Sequence, residues 1–282
     1  MKLTRRLLPK ALQALLLVTL LGCGQATHPA QSAAVNAPAK ATSLPRERSL
    51  WHPEVRSSWQ WQLDSPPQDL LRVDVYDIDG FDASADLVAR MHANGTHAIC
   101  YIDAGTWENW RPDAADFPDS VKGKNVGGWA GEQWLDIRRL SVLEPIMTAR
   151  MDMCRDKGFD AVEPDNIDGY TNDTGFPLTA ADQLAYNTFL AHAAHERGLS
   201  IGLKNDLAQV PDLLPLYDWA LDEQCFEYQE CDQLMPFIRA GKAVFEVEYN
   251  LDTDQFCPQA NAMNFNSLKK HVQLDAYRVP CR

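Results

Sequence analysis

The chain has 282 residues, 45% of them hydrophobic and 23% charged, a globular balance that excludes collagen-like, coiled-coil and wholly disordered architectures. Its net charge is −13. A surface of that sign repels phosphate backbones, so nucleic-acid binding is not expected and a neutral or cationic partner is favoured.

Lys2, Arg5 and Arg6 form a basic start before an apolar run from Ala11 to Leu21. That run is too short for a comfortable membrane-spanning helix and reads as a secretion signal over residues 1–22. It ends in Leu20-Leu21-Gly22-Cys23, which looks like a bacterial lipobox. The expectation is an exported protein of the cell envelope, lipid-anchored at Cys23. Residues 23–49 are rich in Ala, Pro, Ser, Thr and Gln and lack apolar periodicity, as a flexible tether would. Six further cysteines remain: Cys100, Cys154, Cys225, Cys231, Cys257 and Cys281. An even number in an exported chain points to disulfides, in several possible pairings. Proximity in sequence favours Cys225–Cys231 and Cys257–Cys281, which leaves Cys100–Cys154. No CxxC occurs, which argues against structural zinc.

Residues 50–282 fit one large domain. Eight short apolar or β-rich runs are candidate strands: Trp59–Leu63, Arg72–Tyr76, His97–Ile102, Gln133–Ile137, Phe159–Val162, Leu199–Lys204, Tyr217–Leu221 and Ala243–Tyr249. Helical patterns fall between several of them. Ala83–Asn94 places Leu87, Val88 and Met91 on one face and stops at Asn94-Gly95. Leu143–Lys157 precedes Gly158, and Thr179–Arg197 opens on a capping sequence and precedes Gly198. Val210–Leu216 and Asp232–Ala240 are shorter. Strand and helix alternating around eight strands is the pattern of an α/β (β/α)8 TIM barrel. A doubly wound open sheet is the other arrangement, but no GxGxxG follows the first strand to support a dinucleotide site. Leu251–Arg282 reads only as a Cys-stapled closing segment.

A barrel enzyme carries its chemistry at the C-terminal ends of its strands. Here those ends are rich in acids: Asp77 and Asp79, Asp103, Glu163 with Asp165 and Asp168, Asp206, Asp222 with Glu223, and Glu246 with Glu248. Crowding and burial split carboxylate pKa values into the protonated and ionised pair that glycoside hydrolysis needs. Trp107, Trp110 and Trp129 follow in loops, where indole faces stack on sugar rings or simply pack. Trp59, Trp61, Trp134 and Trp219 sit in strands and read as core.

The segments Ala161-Val-Glu-Pro-Asp-Asn-Ile-Asp-Gly-Tyr170, Cys100-Tyr-Ile-Asp-Ala-Gly105, Gly202-Leu-Lys-Asn-Asp206 and Asp222-Glu-Gln-Cys-Phe226 together resemble glycoside hydrolase family 114. The resemblance runs from about Trp59 to Asn250. It implies a TIM barrel that cleaves within α-1,4-linked galactosamine polymers, and a partly deacetylated polymer of that kind is cationic. Asp165 is then the nucleophile, or the base of an inverting reaction. Glu223, two strands further on, is the acid/base, with an ion pair to Lys204 as its structural alternative. Glu163 shares the inward face with Asp165 and is expected to anchor hydrogen bonds one layer below. Asp77, Asp103, Asp168 and Glu248 are expected to contact substrate hydroxyls or amines, with Tyr101 and Trp107 lining the cleft. Lys204 and Asn205 resemble the family's strand-six motif, and a lysine beside Asp165 keeps it ionised.

Three other chemistries compete with this one. Gly198-Leu199-Ser200-Ile201-Gly202 matches GxSxG, yet Ser200 begins a strand, at the wrong end of a barrel for a nucleophile elbow. No histidine falls at the C-terminal end of a predicted strand, so a zinc hydrolase is disfavoured. An oxygen-only calcium site among Asp77, Asp79 and Asp168 is the remaining metal option. The expected enzyme has no cofactor and acts as a monomer. The non-enzymatic alternative is a surface lipoprotein that binds glycan without cleaving it.

Overall fold

The computed structural model describes residues 50–282. The signal segment, Cys23 and the tether lie outside the described residues. In chain order the elements are β1 (Trp59–Gln62), β2 (Val75–Asp79), α1 (Ala85–Ala93) and β3 (His97–Asp103). An insert follows, made of β4 (Thr106–Glu108), β5 (Lys122–Asn125) and β6 (Glu132–Leu135). Then come α2 (Leu140–Lys157), β7 (Ala161–Asp165), α3 (Ala180–Glu196), β8 (Ser200–Lys204), α4 (Val210–Leu213) and β9 (Trp219–Glu223). The chain closes with α5 (Met235–Arg239), β10 (Val244–Glu248), α6 (Thr253–Met263), β11 (Asn266–Lys269) and β12 (Val279–Pro280).

Eight strands run parallel in the order β1-β2-β3-β7-β8-β9-β10-β11, the (β/α)8 TIM-barrel arrangement, and β12 adds an antiparallel edge to β11. Side chains rather than a ladder bridge β11 to β1. The Trp59 indole donates to the Asn266 carbonyl at 2.7 Å, and the Asn266 side chain accepts from the Ser57 amide at 3.1 Å. Strand alternation sorts the core into two layers. Trp59, Trp61, Val75, Ile99, Trp219, Phe245 and Leu268 fill the barrel interior. Gly202 faces the Trp219 ring so closely that a Cβ would stand 2.3 Å from it, so only glycine leaves room for the indole. The other face of the sheet packs Cys100, Val162, Leu203 and Ala220 against Met147, Met151, Tyr186 and Leu190 of the helices.

The three cystines pair Cys225–Cys231 and Cys257–Cys281, as proximity predicts, and Cys100–Cys154, the pair that remains. The capping sequence of α3 also forms: Asp182 N donates to Thr179 Oγ1 at 3.2 Å, and Thr179 N donates to Asp182 Oδ2 at 2.9 Å. Two expectations need correction. The run Gln133–Ile137 is no barrel strand; most of it lies in β6, the central strand of an antiparallel sheet ordered β4-β6-β5. The eighth barrel strand is β11, inside the closing segment. Its sequence Asn-Ser-Leu-Lys has one apolar residue, Leu268, which joins the barrel interior, while Asn266, two residues earlier, serves the closure. The helix before it, α6, was also unmarked, although Asp252 and Gln255 form a capping box at its start.

Candidate active site

Alternation turns Ala161, Glu163 and Asp165 of β7 inward, and likewise Trp219, Leu221 and Glu223 of β9. Lys204, the last residue of β8, lies between their ends. Its Nζ is 2.6 Å from Asp165 Oδ1 and 2.7 Å from Glu223 Oε2. The lysine is 2% exposed, whereas the two carboxylates open further, to 18% and 26%. Tyr101 donates its hydroxyl to Asp165 Oδ2 at 2.9 Å, and the Asn166 amide donates to Oδ1 at 2.9 Å. Tyr249 donates to Glu223 Oε1. Asn205 adopts a left-handed φ of 49° and accepts the Glu223 amide on its side-chain oxygen at 3.1 Å. Gly105 lets the loop after β3 press on the loop after β7: a Cβ there would stand 1.7 Å from the Asn166 carbonyl oxygen.

Burial pushes the Asp165 carboxyl up, but the Lys204 charge and the bonds from Lys204, Asn166 and Tyr101 outweigh it and hold it below the usual range. Burial disfavours the Lys204 ammonium, yet Asp165, Glu223 and Glu163 together hold it firmly protonated. One layer down, Glu163 is fully buried 3.9 Å from Lys204, and burial pushes it to about 8. Asp77, equally buried, is raised by burial and by Glu163 beside it. The pair thus carries protons beneath an ionised site. The site is an anionic carboxylate held by an ammonium, next to a second carboxylate within reach of the same substrate bond.

Tyr101, Asp165, Asn166, Lys204, Asn205 and Glu223 form the floor of a cleft of about 400 Å³. Trp110 and Trp129, each 52% exposed, stand in its wall, and Trp61 lies beneath with Lys204 5.1 Å from its ring. The β4–β6 insert adds Glu108 and Glu132, and Arg111 spans Glu108 and Asp79 at 2.6 and 2.7 Å. Sugar rings are bound by such a mix of flat apolar faces and fixed polar groups.

The other sequence-predicted residues are dispersed. Asp103 is buried and ties its own loop, accepting from Thr106 N at 2.7 Å and Asn166 Nδ2 at 2.7 Å. Asp77 sits under Lys204 and has no face on the cleft. Glu248 points to the outer side of β10, where it accepts the amides of Phe226 at 2.8 Å and Glu227 at 3.1 Å. Trp107 donates to the Ala114 carbonyl at 3.0 Å, with Lys122 over its ring, and packs away from the cleft. Asp168 opens on a neighbouring cavity. Ser200 is buried at the start of β8, at the opposite end of the barrel. Among the described residues no group of three or more His, Cys, Asp or Glu is arranged to hold a metal. The insert residues Glu108, Arg111 and Glu132 were not marked in the sequence, because nothing there shows that a loop sheet folds over the mouth. Trp61 is buried, as a core residue would be, and still forms cleft floor.

Acids paired across a lysine and flanked by exposed indoles, at this end of such a barrel, define a glycosidase. The chain belongs to glycoside-hydrolase family GH114, whose model matches residues 40–282. It is similar to Ega3 of Aspergillus fumigatus, solved in complex with galactosamine, at 38% identity and a TM-score of 0.79, over 84% of this chain and 100% of that one. The glycoside hydrolase domain of PelA from Pseudomonas aeruginosa shares the fold, at 14% identity and a TM-score of 0.63, over 79% of this chain and 98% of that domain. No curated protein sequence matches significantly.

Proposed function

We propose that this glycoside hydrolase cleaves within α-1,4-linked galactosamine polymers from the outside of a bacterial cell, tethered by a lipid on Cys23. Asp165 is the nucleophile and Glu223 the acid/base. The observation that carries the reading is the Lys204 ammonium shared between them at 2.6 and 2.7 Å. Two oxygens on one ammonium lie within about 5 Å, the carboxyl separation of retaining glycosidases rather than of inverting ones. Glu223 protonates the glycosidic oxygen while Asp165 attacks the anomeric carbon and forms a glycosyl ester. Glu223, now ionised, takes a proton from water, and that water hydrolyses the ester. Lys204 keeps Asp165 anionic for the attack, and the Tyr101 hydroxyl orients it. The galactosamine bound to the Ega3 structure and the acidic charge of this chain support an amino-sugar substrate.

The test is release of oligosaccharides from α-1,4-linked polygalactosamine by the wild-type protein, by Asp165→Asn and Glu223→Gln, and by Ser200→Ala as a control. Wild type and Ser200→Ala release product, and each carboxamide variant loses roughly three decades or more of rate. Full activity in either carboxamide variant sinks the assignment of that residue. No release by folded wild type removes this polymer as the substrate.

A further inference from the structure

The end of the barrel away from the cleft carries a cavity of a different kind. It has a volume of about 230 Å³ and opens in the seam between β1 and β11, where the two strands begin. Arg56, Arg278 and Arg282 line it, with Ser57, Ser58 and Asn266, and no Asp or Glu is among the lining residues. The chain as a whole carries −13, so three guanidinium groups around one small space run against its charge. Arg111, Arg138, Arg150, Arg155 and Arg197 each pair with a carboxylate. Among the described residues the seam arginines bond only neutral groups. Arg278 Nε donates to the Trp59 carbonyl at 2.6 Å, Arg56 Nε to Asn264 Oδ1 at 3.0 Å, and Arg282 Nη2 to Asn266 Oδ1 at 2.6 Å. Each bond uses one side of a planar fork and leaves further N–H groups unspent. The C-terminal end of α6, at Asn264, attracts the charges of Arg56 and Arg282. It does not account for Arg278, which bonds β1 instead. Asp74 takes the Ser58 amide and hydroxyl at 2.7 and 2.8 Å and is not a lining residue. Burial holds Arg278 below its ordinary range, and burial with the Arg56 charge does the same to Arg282. An anion between the three groups reverses both effects.

We propose that this cavity binds a phosphate group, held by the forks of Arg56, Arg278 and Arg282. A guanidinium fork matches two phosphate oxygens, and three forks call for an anion with more than the two oxygens of a carboxylate. The volume lies below the roughly 300 Å³ at which sites for drug-sized molecules begin, so the site suits a small oxyanion or a headgroup rather than a glycan chain. Two sources present that chemistry outside a cell, the free ion and the headgroups of a phospholipid surface. Arg56 follows closely on Leu50, where the described chain begins. A chain held to a membrane by its N-terminal segment would therefore bring this end of the barrel to the lipid and leave the cleft, at the other ends of the same strands, facing away. The proposal is independent of the roles given to Asp165 and Glu223.

The chain from residue 23 onward, carrying Cys23→Ser so that no lipid is attached, would be titrated with inorganic phosphate by calorimetry at constant ionic strength. Wild type binds the ion, and Arg56→Gln and Arg278→Gln each weaken binding roughly tenfold. Arg56 is exposed, so its variant keeps the fold even where Arg278→Gln disturbs the seam. The same proteins would be sedimented with vesicles of phosphatidylcholine alone and of an equal mixture with phosphatidylglycerol. Sedimentation with the mixture that is lost in both variants and competed by inorganic phosphate gives the site to a lipid headgroup. Phosphate binding without sedimentation gives it to the free ion. Absence of both overturns the proposal, as does binding that is unchanged in both folded variants. Sedimentation that phosphate does not compete overturns it too, because a charged surface then suffices. Acetate that displaces phosphate at equal concentration overturns the choice of phosphate.

Discussion

Asp165 and Glu223 belong to strands separated by β8, and the last residue of β8 holds both: Lys204 Nζ is 2.6 Å from one and 2.7 Å from the other. Without that charge, burial would push Asp165 up. Lys204→Met keeps the stem and removes the ammonium. The expected result is a fall in kcat/KM of two decades or more. Lys204 lowers the Asp165 pKa, so its loss moves the acid limb of the kcat/KM profile to higher pH. A variant that loses rate with an unmoved acid limb would show that Lys204 does not tune Asp165.

Retention of configuration is the second expectation. Carboxyl oxygens held within about 5 Å of each other by one ammonium leave no room for a water between nucleophile and anomeric carbon. The α-linked substrate should then give products that are α-anomers at first formation, followed by proton NMR before mutarotation. An initial β-anomer means inversion, and Asp165 would then be a base.

Trp110 and Trp129 stand in the cleft wall with half their surfaces free. Exposed indoles of that size offer flat apolar faces on which sugar rings stack. Trp110→Ala and Trp129→Ala should each raise KM on long chains about tenfold and change kcat little. Equal loss on chains of two or three sugars would place these rings at the reacting unit. Trp107→Ala should leave KM unchanged, because that indole is tied to the Ala114 carbonyl.

The difference between Trp107 and Trp110 marks where reading the sequence stops. Alternation within a strand is legible: Glu163 and Asp165 face inward together, and Lys204 and Glu223 reach the same mouth. What fails is depth and loop architecture. The sequence places Asp77 at the cleft, yet it lies one layer lower, because β2 continues two residues beyond it to Asp79. Glu248 was expected over the mouth. It follows Val247, an inward residue, so it turns outward and holds the amides of the Cys225–Cys231 loop. The extra antiparallel sheet displaced one strand in the count, and β11, with a single apolar residue, went unseen.

The cystines should differ in what they contribute. Cys100–Cys154 joins β3 to α2 across a separation of 54 residues, and Cys225–Cys231 closes one of 6. In the chain-entropy model the longer loop is worth about 4 kcal/mol and the shorter about 2 kcal/mol. Replacing both cysteines of each pair by alanine and measuring urea unfolding tests that order. The shorter loop carries Phe226, Glu227 and Glu230, so its loss should also disturb Glu223 and reduce activity more than the Cys100–Cys154 pair does. Equal stabilities, with activity kept in the short-loop variant, would argue that neither loop is held by its cystine.

Glu163 couples the buried layer to pH. Burial raises its carboxyl from 4.5 to about 8 in the folded protein. The folded state therefore binds a proton that the unfolded chain has released between those values. The stabilisation this gives is complete below about pH 4.5 and is lost as pH rises toward 8, with a slope of at most about 1.4 kcal/mol per pH unit. Glu163→Gln keeps the shape, supplies a permanent amide donor to Asp77 and removes the titration. Urea unfolding at pH 5, 6, 7 and 8 should show the wild type losing stability faster than the variant. Asp222 and Glu246, also raised by burial, remain in both proteins, and Asp77 is raised in part by Glu163, so the difference between the two curves reports the Glu163–Asp77 pair. Parallel curves would mean that Glu163 is already ionised in the folded protein at pH 5, paired with Lys204 rather than sharing a proton with Asp77.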